Sequence, residues 1–269
     1  MPVRGAMAVA LLAAAASIAV CEQALFAQPT GPAADRVRWP TVTSRVTKDA
    51  AVEARVDRIL AKMSLEEKVG QIIQADISSA TPEDVKKYKL GSVLGGGNSA
   101  PKGDEKAPPA DWLKLADAYW EASMTADWAG GKIPVIWGID AVHGHANVVG
   151  ATVFPHNIGL GAMRNPELVR RIGEVTAREM AVTGVDWDFS PTVAVPRDDR
   201  WGRSYEGWSE DPSVTRAYAP AMVEGLQGRA GTPEFLGPGK VIATAKHFVG
   251  DGGTSAGKDQ GDNPSTDEQ

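Results

Sequence analysis

Residues 133–140 read IPVIWGID, an apolar run of strand length that ends in a carboxylate. Three further runs resemble it: GSVLGG at 91–96, GVDWDFSP at 184–191 and VIATAKHF at 241–248. As a group they are rich in Val and Ile and do not alternate apolar with polar residues. Runs of this kind are typical of strands that are buried on both faces, as in a parallel sheet.

The segments between these runs carry helix signals. Residues 51–63 form a helical pattern, and Ser64 with Glu67 has the spacing of a capping box that opens a second helix. Three later helices are predicted to begin where a capping residue precedes proline, at Thr81-Pro82, Asn165-Pro166 and Asp211-Pro212. Gly184 and Gly228 stand where the last two of these helices should stop. Helices that alternate with buried strands predict an α/β fold.

Polar residues stand at the carboxyl ends of the later runs: Asp140 and His143, then Asp188 and the loop to Arg203, then Lys246 and His247. In a (β/α)8 barrel all strands open at their carboxyl ends on one face, so these groups would meet in one pocket. A doubly wound sheet is the alternative, but GGGN at 95–98 lacks the G-x-G-x-x-G fingerprint of that fold. We therefore expect an incomplete TIM-like barrel, with about four to five of eight strand–helix units present.

The start of the chain has the pattern of a secretory signal: an early Arg4, an apolar run over residues 6–20 and a small residue at Ala27. The run is too short for a comfortable membrane span. We expect a signal peptide over 1–27, a linker over 28–50 and the barrel domain over 51–269. The polar end of the chain, at 257–269, predicts that this is the front part of a longer protein.

Cysteine content and net charge limit the chemistry, the cellular location and the partners that the protein can have. The single cysteine, Cys21, would leave with the signal, although lipidation of Cys21 is an alternative. A mature chain without cysteine excludes disulfides and a thiol nucleophile, and export without disulfides suits a bacterial periplasm or exterior. The formal net charge of -6 argues against nucleic acid and anionic membranes as partners.

The residues at the strand ends leave several kinds of chemistry open. Asp140 closes a buried strand and needs a partner, which sugar hydroxyls or an arginine would provide. His143 and His145 could share a metal ion, but no further ligands stand at a fixed spacing, and a role in shaping the loop is the simpler interpretation. Lys246 precedes its glycines, which excludes a P-loop, and no G-x-S-x-G elbow is present.

The long segment at 190–212 contains three arginines, several carboxylates and two tryptophans. Arg203 beside Trp201 and Tyr205 could form a fixed cationic fork near an aromatic wall. Pairing between arginine and carboxylate within the loop is the alternative, and it should account for some of the charged side chains at Arg197, Asp198, Asp199, Arg200 and Glu210.

Three segments together carry a specific resemblance. WGIDAVHGHANVVGATVFPHNIGLGA at 137–162, RDDRWGRSYEGWSEDP at 197–212 and AKHFVGDGGT at 245–254 are similar to motifs of glycoside hydrolase family 3, in the family's order and spacing. The resemblance covers residues 50–257 and implies the N-terminal barrel domain of a β-glucosidase or exo-β-glucanase. It implies no cofactor and no metal.

The resemblance also implies roles for individual residues. Asp140, Arg203, Lys246 and His247 match the residues that bind the hydroxyls of the sugar at the cleavage point. The family hydrolyses with retention, using an Asp nucleophile in an S-D-W-like motif and an acid/base Glu from a second domain. Neither has a match in this chain, so no catalytic residue is assigned. The implied partner is a β-glucoside or β-glucan oligosaccharide.

Two alternatives stay open. One is a non-catalytic sugar-binding fragment. The other is a β-N-acetylhexosaminidase of the same family, whose subgroup resembles KHFPGHGDT where this chain has Val249 for the proline and Asp251 for the loop histidine. Those two departures favour the glucosidase side. The tryptophans that could stack on outer sugars are Trp128, Trp137 and Trp208, although a core or loop role is equally compatible with each.

Overall fold

The computed structural model describes residues 43–44, 46–247 and 249–266 of the chain. The predicted signal segment at 1–27 lies outside the described residues, as does most of the predicted linker at 28–50. The helices of the described part are α1 Ala50–Leu60, α2 Leu65–Gln71, α3 Pro82–Tyr88, α4 Pro109–Thr125, α5 Asn157–Ala162, α6 Pro166–Ala181 and α7 Pro212–Gln227. The strands are β1 Gln74–Asp76, β2 Ser92–Gly95, β3 Ile136–Ile139, β4 Trp187–Asp188 and β5 Ile242–Ala243.

The helices begin where their caps predict. The Ser64 hydroxyl accepts from the Glu67 N–H at 3.1 Å and the Glu67 carboxylate accepts from the Ser64 N–H at 2.9 Å, which confirms the capping box of α2. The three residues that precede proline also cap their helices, and they are Thr81, Asn165 and Asp211. None of the helices in the described ranges has both the length and the apolar character that crossing a membrane requires.

The five strands form one parallel sheet whose spatial order follows the chain from β1 to β5. A helix lies in every crossover: α3 after β1, α4 after β2, α5 and α6 after β3, and α7 after β4. A doubly wound sheet would reverse its strand order near the middle, and this sheet does not. The arrangement is that of consecutive strand–helix units of a TIM-like barrel, which confirms the predicted fold class.

One strand was not anticipated by the apolar runs. The helix that the capping box opens, α2, ends at Gln71, and β1 follows as the triplet Gln74–Asp76. The end of α2 is held against the neighbouring strand, since the Gly70 carbonyl accepts from the Gly91 N–H at 2.9 Å. Three polar or small residues give no hydrophobic period, so pairing with β2 rather than local composition makes this segment a strand.

The two faces of the sheet differ in burial within the described residues. Trp137 and Ile139 of β3 face the helices, are almost completely buried, and pack with Trp112 and Tyr119 of α4. On the opposite face Ile136 is 36% exposed within the described part. Because alternate residues of a strand point to opposite faces, Asp140 follows Ile136 and Gly138 on this inner side.

Candidate functional site

Asp140 and Lys246 form an ion pair at the carboxyl ends of β3 and β5. The Lys246 side chain is 13% exposed, whereas that of Asp140 is 47% exposed. Lys246 is fixed by its backbone, which donates to the Pro191 carbonyl at 3.0 Å and accepts from the Val193 N–H at 2.7 Å. A largely covered lysine side chain is thus held beside a carboxylate that is more open to solvent.

Arg203 and His247 extend this group into a hydrogen-bonded series. The Arg203 guanidinium donates to both oxygens of Glu206, through Nε at 2.7 Å and Nη2 at 3.0 Å. Its Nη2 atom also lies 3.1 Å from His247 Nε2, and His247 Nδ1 lies 2.6 Å from Asp251 Oδ2. The Lys246–His247 peptide bond is cis. We call Asp140, Arg203, Lys246 and His247 the strand-end cluster.

The contacts assign the tautomer of His247. A guanidinium nitrogen only donates, so His247 Nε2 accepts from Arg203 and carries no proton. The Nδ1 atom therefore carries the proton and donates it to Asp251. Asp251, which the sequence singled out only for standing where another subgroup has histidine, fixes the orientation of this imidazole. In this arrangement both ring nitrogens of His247 are engaged, Nε2 by Arg203 and Nδ1 by Asp251.

Glu206 holds Arg203 in place and is itself kept ionised. Burial would raise the pKa of the Glu206 carboxyl, but the hydrogen bonds and charge of Arg203 outweigh burial and lower that pKa below its usual value. In return, hydrogen bonding to Glu206 raises the pKa of the Arg203 guanidinium. The pair is a bidentate fork, which aims the guanidinium in a fixed direction.

The loop after β5 packs onto the arginine-rich loop after β4. The Trp201 indole donates to Asp259 at 2.9 Å, and the Arg197 N–H donates to the Gly252 carbonyl at 2.8 Å. Trp201 is buried by these contacts. It therefore anchors the two loops to each other, and the predicted aromatic wall beside Arg203 is wrong for this residue.

Two other arginines of this loop make contacts within the loop, one of them the predicted pairing with a carboxylate. Arg200 makes an ion pair with Asp198 at 2.6 Å, and Arg197 donates to the Glu210 carbonyl at 3.1 Å. Arg203 differs because it reaches His247 of the strand-end cluster while both oxygens of Glu206 hold its guanidinium. It is the arginine that the fold directs to the strand ends.

Asp188, at the end of β4, lies behind the cluster and is completely buried. Its Oδ1 atom accepts from the Ala141 N–H at 3.0 Å. Burial raises the pKa of the Asp188 carboxyl to about 7, although the Ala141 hydrogen bond and the nearby Lys246 charge act in the opposite direction.

The two histidines of the H-x-H pair serve the loop after β3. His143 Nδ1 donates to the Phe154 carbonyl at 3.2 Å. His145 is buried, with its ring edge against Trp112 and its Nε2 atom 2.9 Å from the Thr183 hydroxyl. Among the residues that the structure describes, no group of three or more histidine, cysteine or acidic side chains is arranged to hold a metal ion.

His145 should make the stability of the fold sensitive to acid. Burial lowers the pKa of its imidazole from 6.5 to about 4, so between these values the unfolded chain binds a proton that the native state does not. The free energy of unfolding is therefore expected to fall as the pH drops from 6.5 towards 4. Thermal melts across this range should show a shallower acid dependence for His145→Gln than for the wild type.

The same substitution at the exposed His156 controls for the loss of an imidazole. Melting curves of wild type and His145→Gln that stay parallel over the whole acid range would assign the acid sensitivity to other groups.

The tryptophans considered for sugar stacking lie elsewhere. Trp137 and Trp208 are buried in the core. The Trp128 indole donates to the Ser123 carbonyl at 2.8 Å, just beyond the end of α4. Two cavities of the described part, with volumes of about 600 and 530 Å³, are lined mainly by residues around α2 and α3 and by none of the strand-end cluster.

The sequence named the four members of the strand-end cluster, and it named Asp188 at a strand end, but it gave none of the contacts that orient them. Glu206 and Asp251 fix Arg203 and His247, and Asp188 supports the segment after Asp140. A signal existed for Glu206, which follows Arg203 at a spacing of three residues. The pairing of Asp188 with a backbone N–H depends on the register between β3 and β4 and had no such signal.

Comparison with known proteins identifies the family of this chain. The model of the glycosyl hydrolase family 3 N terminal domain matches residues 64–269. The lysosomal beta glucosidase of Dictyostelium discoideum is 33% identical over 231 residues, covering 78% of this chain and 27% of that protein. The periplasmic beta-glucosidase of Salmonella typhimurium is 30% identical over 214 residues, covering 78% of this chain and 25% of that protein.

A solved structure gives the same result. The exo-1,3/1,4-beta-glucanase from a Pseudoalteromonas species is 55% identical and superposes with a TM-score of 0.79, over 82% of this chain and 28% of its own. The chain thus spans about a quarter of the length of these relatives. Because the family model covers more than half of the chain, the protein belongs to glycosyl hydrolase family 3, of which it carries the N-terminal domain.

Proposed function

We propose that this protein hydrolyses β-glucosidic bonds at the non-reducing end of β-glucosides or β-glucans, with retention of configuration. Its strand-end cluster would bind the sugar at the cleavage point. The observation that carries the proposal is the meeting of Asp140, Arg203, Lys246 and His247 at one end of the sheet.

The donors and acceptors of the cluster match a neutral sugar. Asp140 offers carboxylate oxygens, Lys246 and Arg203 offer charged N–H donors, and a sugar hydroxyl can both donate and accept. Hydrogen bonds that involve a charged group are the stronger ones, so a few of them fix the ring firmly. Fixing the ring places the anomeric carbon for attack, which is the contribution that these residues would make to the reaction.

Retaining hydrolysis also needs two carboxyl groups about 5–5.5 Å apart that flank the scissile bond. We assign neither to this chain, and residues of the whole protein outside it would provide the nucleophile and the acid/base. We propose that the described domain binds and orients the sugar, and that the other residues carry out the bond cleavage.

The protein expressed from its complete gene provides the test. We expect turnover of p-nitrophenyl β-D-glucoside and laminaribiose, with the β-anomer of glucose appearing first in NMR spectra of the reaction. First release of the α-anomer would contradict retention. Turnover of the β-N-acetylglucosaminide alone would favour the hexosaminidase, and glucose binding without turnover of any substrate would favour a non-catalytic sugar-binding protein.

We further propose that the protein is exported to the periplasm or the exterior, with residues 1–27 as a signal peptide and the barrel domain over 51–269. The description of a Salmonella typhimurium relative as periplasmic supports this location. N-terminal sequencing of the secreted protein is expected to begin near Gln28. A mature protein that retains residues 1–27 and stays in the cytoplasm would contradict it.

A further inference from the structure

Asp188 is a carboxyl group in a place where a strand residue of a barrel is ordinarily apolar. It is 0% exposed and shares the helix-facing side of the sheet with its register partner Ile139. Asp140 is the next residue after Ile139, so its side chain points to the opposite, inner side. Asp188 therefore lies directly behind the sugar-facing residue without reaching the sugar itself.

The hydrogen bonds around β3 show what Asp188 does for its neighbour. The backbone ladder between β3 and β4 continues through the Phe189 N–H, which donates to the Ile139 carbonyl at 3.0 Å. The next β3-side donor, the Ala141 N–H, is satisfied by the Asp188 side chain at 3.0 Å. The side chain thus extends the ladder past the end of the strand and fixes the peptide that follows Asp140.

We propose that Asp188 is a positioning residue that holds Asp140 against Lys246 by accepting the N–H of Ala141. Its effect on sugar binding rests on the proposed function, because it acts through the Asp140–Lys246 pair. The hydrogen bond to Ala141 and its effect on the pair do not depend on which sugar is bound.

The environment of the second oxygen indicates that an acceptor, rather than a charge, is required. Asp188 Oδ2 is buried and has no hydrogen-bond partner among the described residues. Burying a carboxylate with one hydrogen bond is costly, and burial accordingly raises the pKa of Asp188 to about 7. A protonated carboxyl group still accepts from Ala141 through its carbonyl oxygen, so an amide of the same shape should replace it.

Two substitutions of Asp188 distinguish the loss of its hydrogen-bond acceptor from the loss of its side-chain volume. In Asp188→Ala the acceptor is lost, and we expect the dissociation constant for glucose to rise roughly three- to tenfold, the range for one neutral hydrogen bond. The Ala141 amide should also exchange with solvent faster, and kcat should change less than the dissociation constant. In Asp188→Asn the acceptor is retained, and the glucose dissociation constant and the exchange rate of the Ala141 amide are expected to stay within about twofold of wild type.

The Asp188→Asn variant also controls for folding. Because burial raises the pKa of Asp188 from 3.8 to about 7, the free energy of unfolding is expected to fall as the pH rises from 3.8 towards 7 and to stay low above it. Asp188→Asn removes this loss and should melt no lower than the wild type in alkaline buffer. Thr215, on α7, has a buried hydroxyl with no hydrogen-bond partner among the described residues. Thr215→Val deletes this hydroxyl and should leave the glucose dissociation constant unchanged.

Failure of the positioning role and failure of the proposed hydrolytic function give different results. Wild-type Ala141 exchange and glucose binding in Asp188→Ala would overturn the positioning role, as would equal losses in Asp188→Ala and Asp188→Asn. If the wild type bound no glucose and cleaved no β-glucoside, the proposed function would fail. Ala141 exchange and the acetylation rate of Lys246, compared across the three proteins, would then still decide the positioning role.

Discussion

Replacing Lys246 with methionine is expected to lower kcat/KM on aryl β-glucosides by about ten- to a hundredfold. A hydrogen bond from a charged donor contributes roughly 1.5–3 kcal/mol, which corresponds to that range. Methionine keeps the apolar stem of the side chain, which is 13% exposed in the wild type, so packing is largely preserved. The loss should therefore fall on substrate rather than on the fold.

Lys114→Met is the matched control, because Lys114 lies on the exposed side of α4. It should leave kcat/KM unchanged. A Lys246→Met enzyme that turns over aryl β-glucosides at the wild-type rate would remove Lys246 from the proposed sugar site.

Replacing Gly225 with alanine is expected to have the largest effect on stability, lowering the free energy of unfolding by roughly 2–4 kcal/mol through overpacking. A Cβ atom at Gly225 would lie 2.2 Å from the Arg170 carbonyl oxygen and 3.0 Å from the Gly173 Cα atom. The obstacle is backbone on the facing helix, so α6 and α7 would have to move apart. For a domain of this size such a change lowers the melting temperature by about 5–15 °C.

The sign of this effect is diagnostic. Gly→Ala inside a helix is ordinarily stabilising by roughly 1 kcal/mol. Gly159→Ala provides that comparison, since a Cβ atom in α5 would meet only Pro155 at 3.7 Å. Gly159→Ala should melt at or above the wild-type temperature. A Gly225→Ala protein that is as stable as Gly159→Ala would contradict the close contact between α6 and α7.

The features that the sequence predicted well are those determined by residues close in the chain. The Ser64–Glu67 capping box and the capped starts of α6 and α7 depend on side chains within three residues of each other. Buried runs located four of the strands, and the parallel order then placed Asp140 and Lys246 at the same end of the sheet. Strand β1 was missed because its three residues have no apolar pattern, and it becomes a strand through its pairing with β2.

The predictions that failed or were incomplete concern the direction of individual side chains. Trp201 was expected beside the ligand and instead donates to Asp259 within a loop contact. The orientation of His247 depends on Asp251 and Arg203 together, and Arg203 lies 44 residues away. Loop backbones determine such contacts, and a spacing rule cannot supply them. The sugar-binding roles of the four cluster residues stay predictions.

The order of the sheet also bears on how the chain is made. Each strand pairs with the one synthesised before it, so every strand that leaves the ribosome meets an edge that is already present. Asp140 precedes Lys246 by 106 residues, so their ion pair can form only after β5 has been synthesised. A nascent chain can therefore pair β1 to β4 before the strand-end cluster is complete.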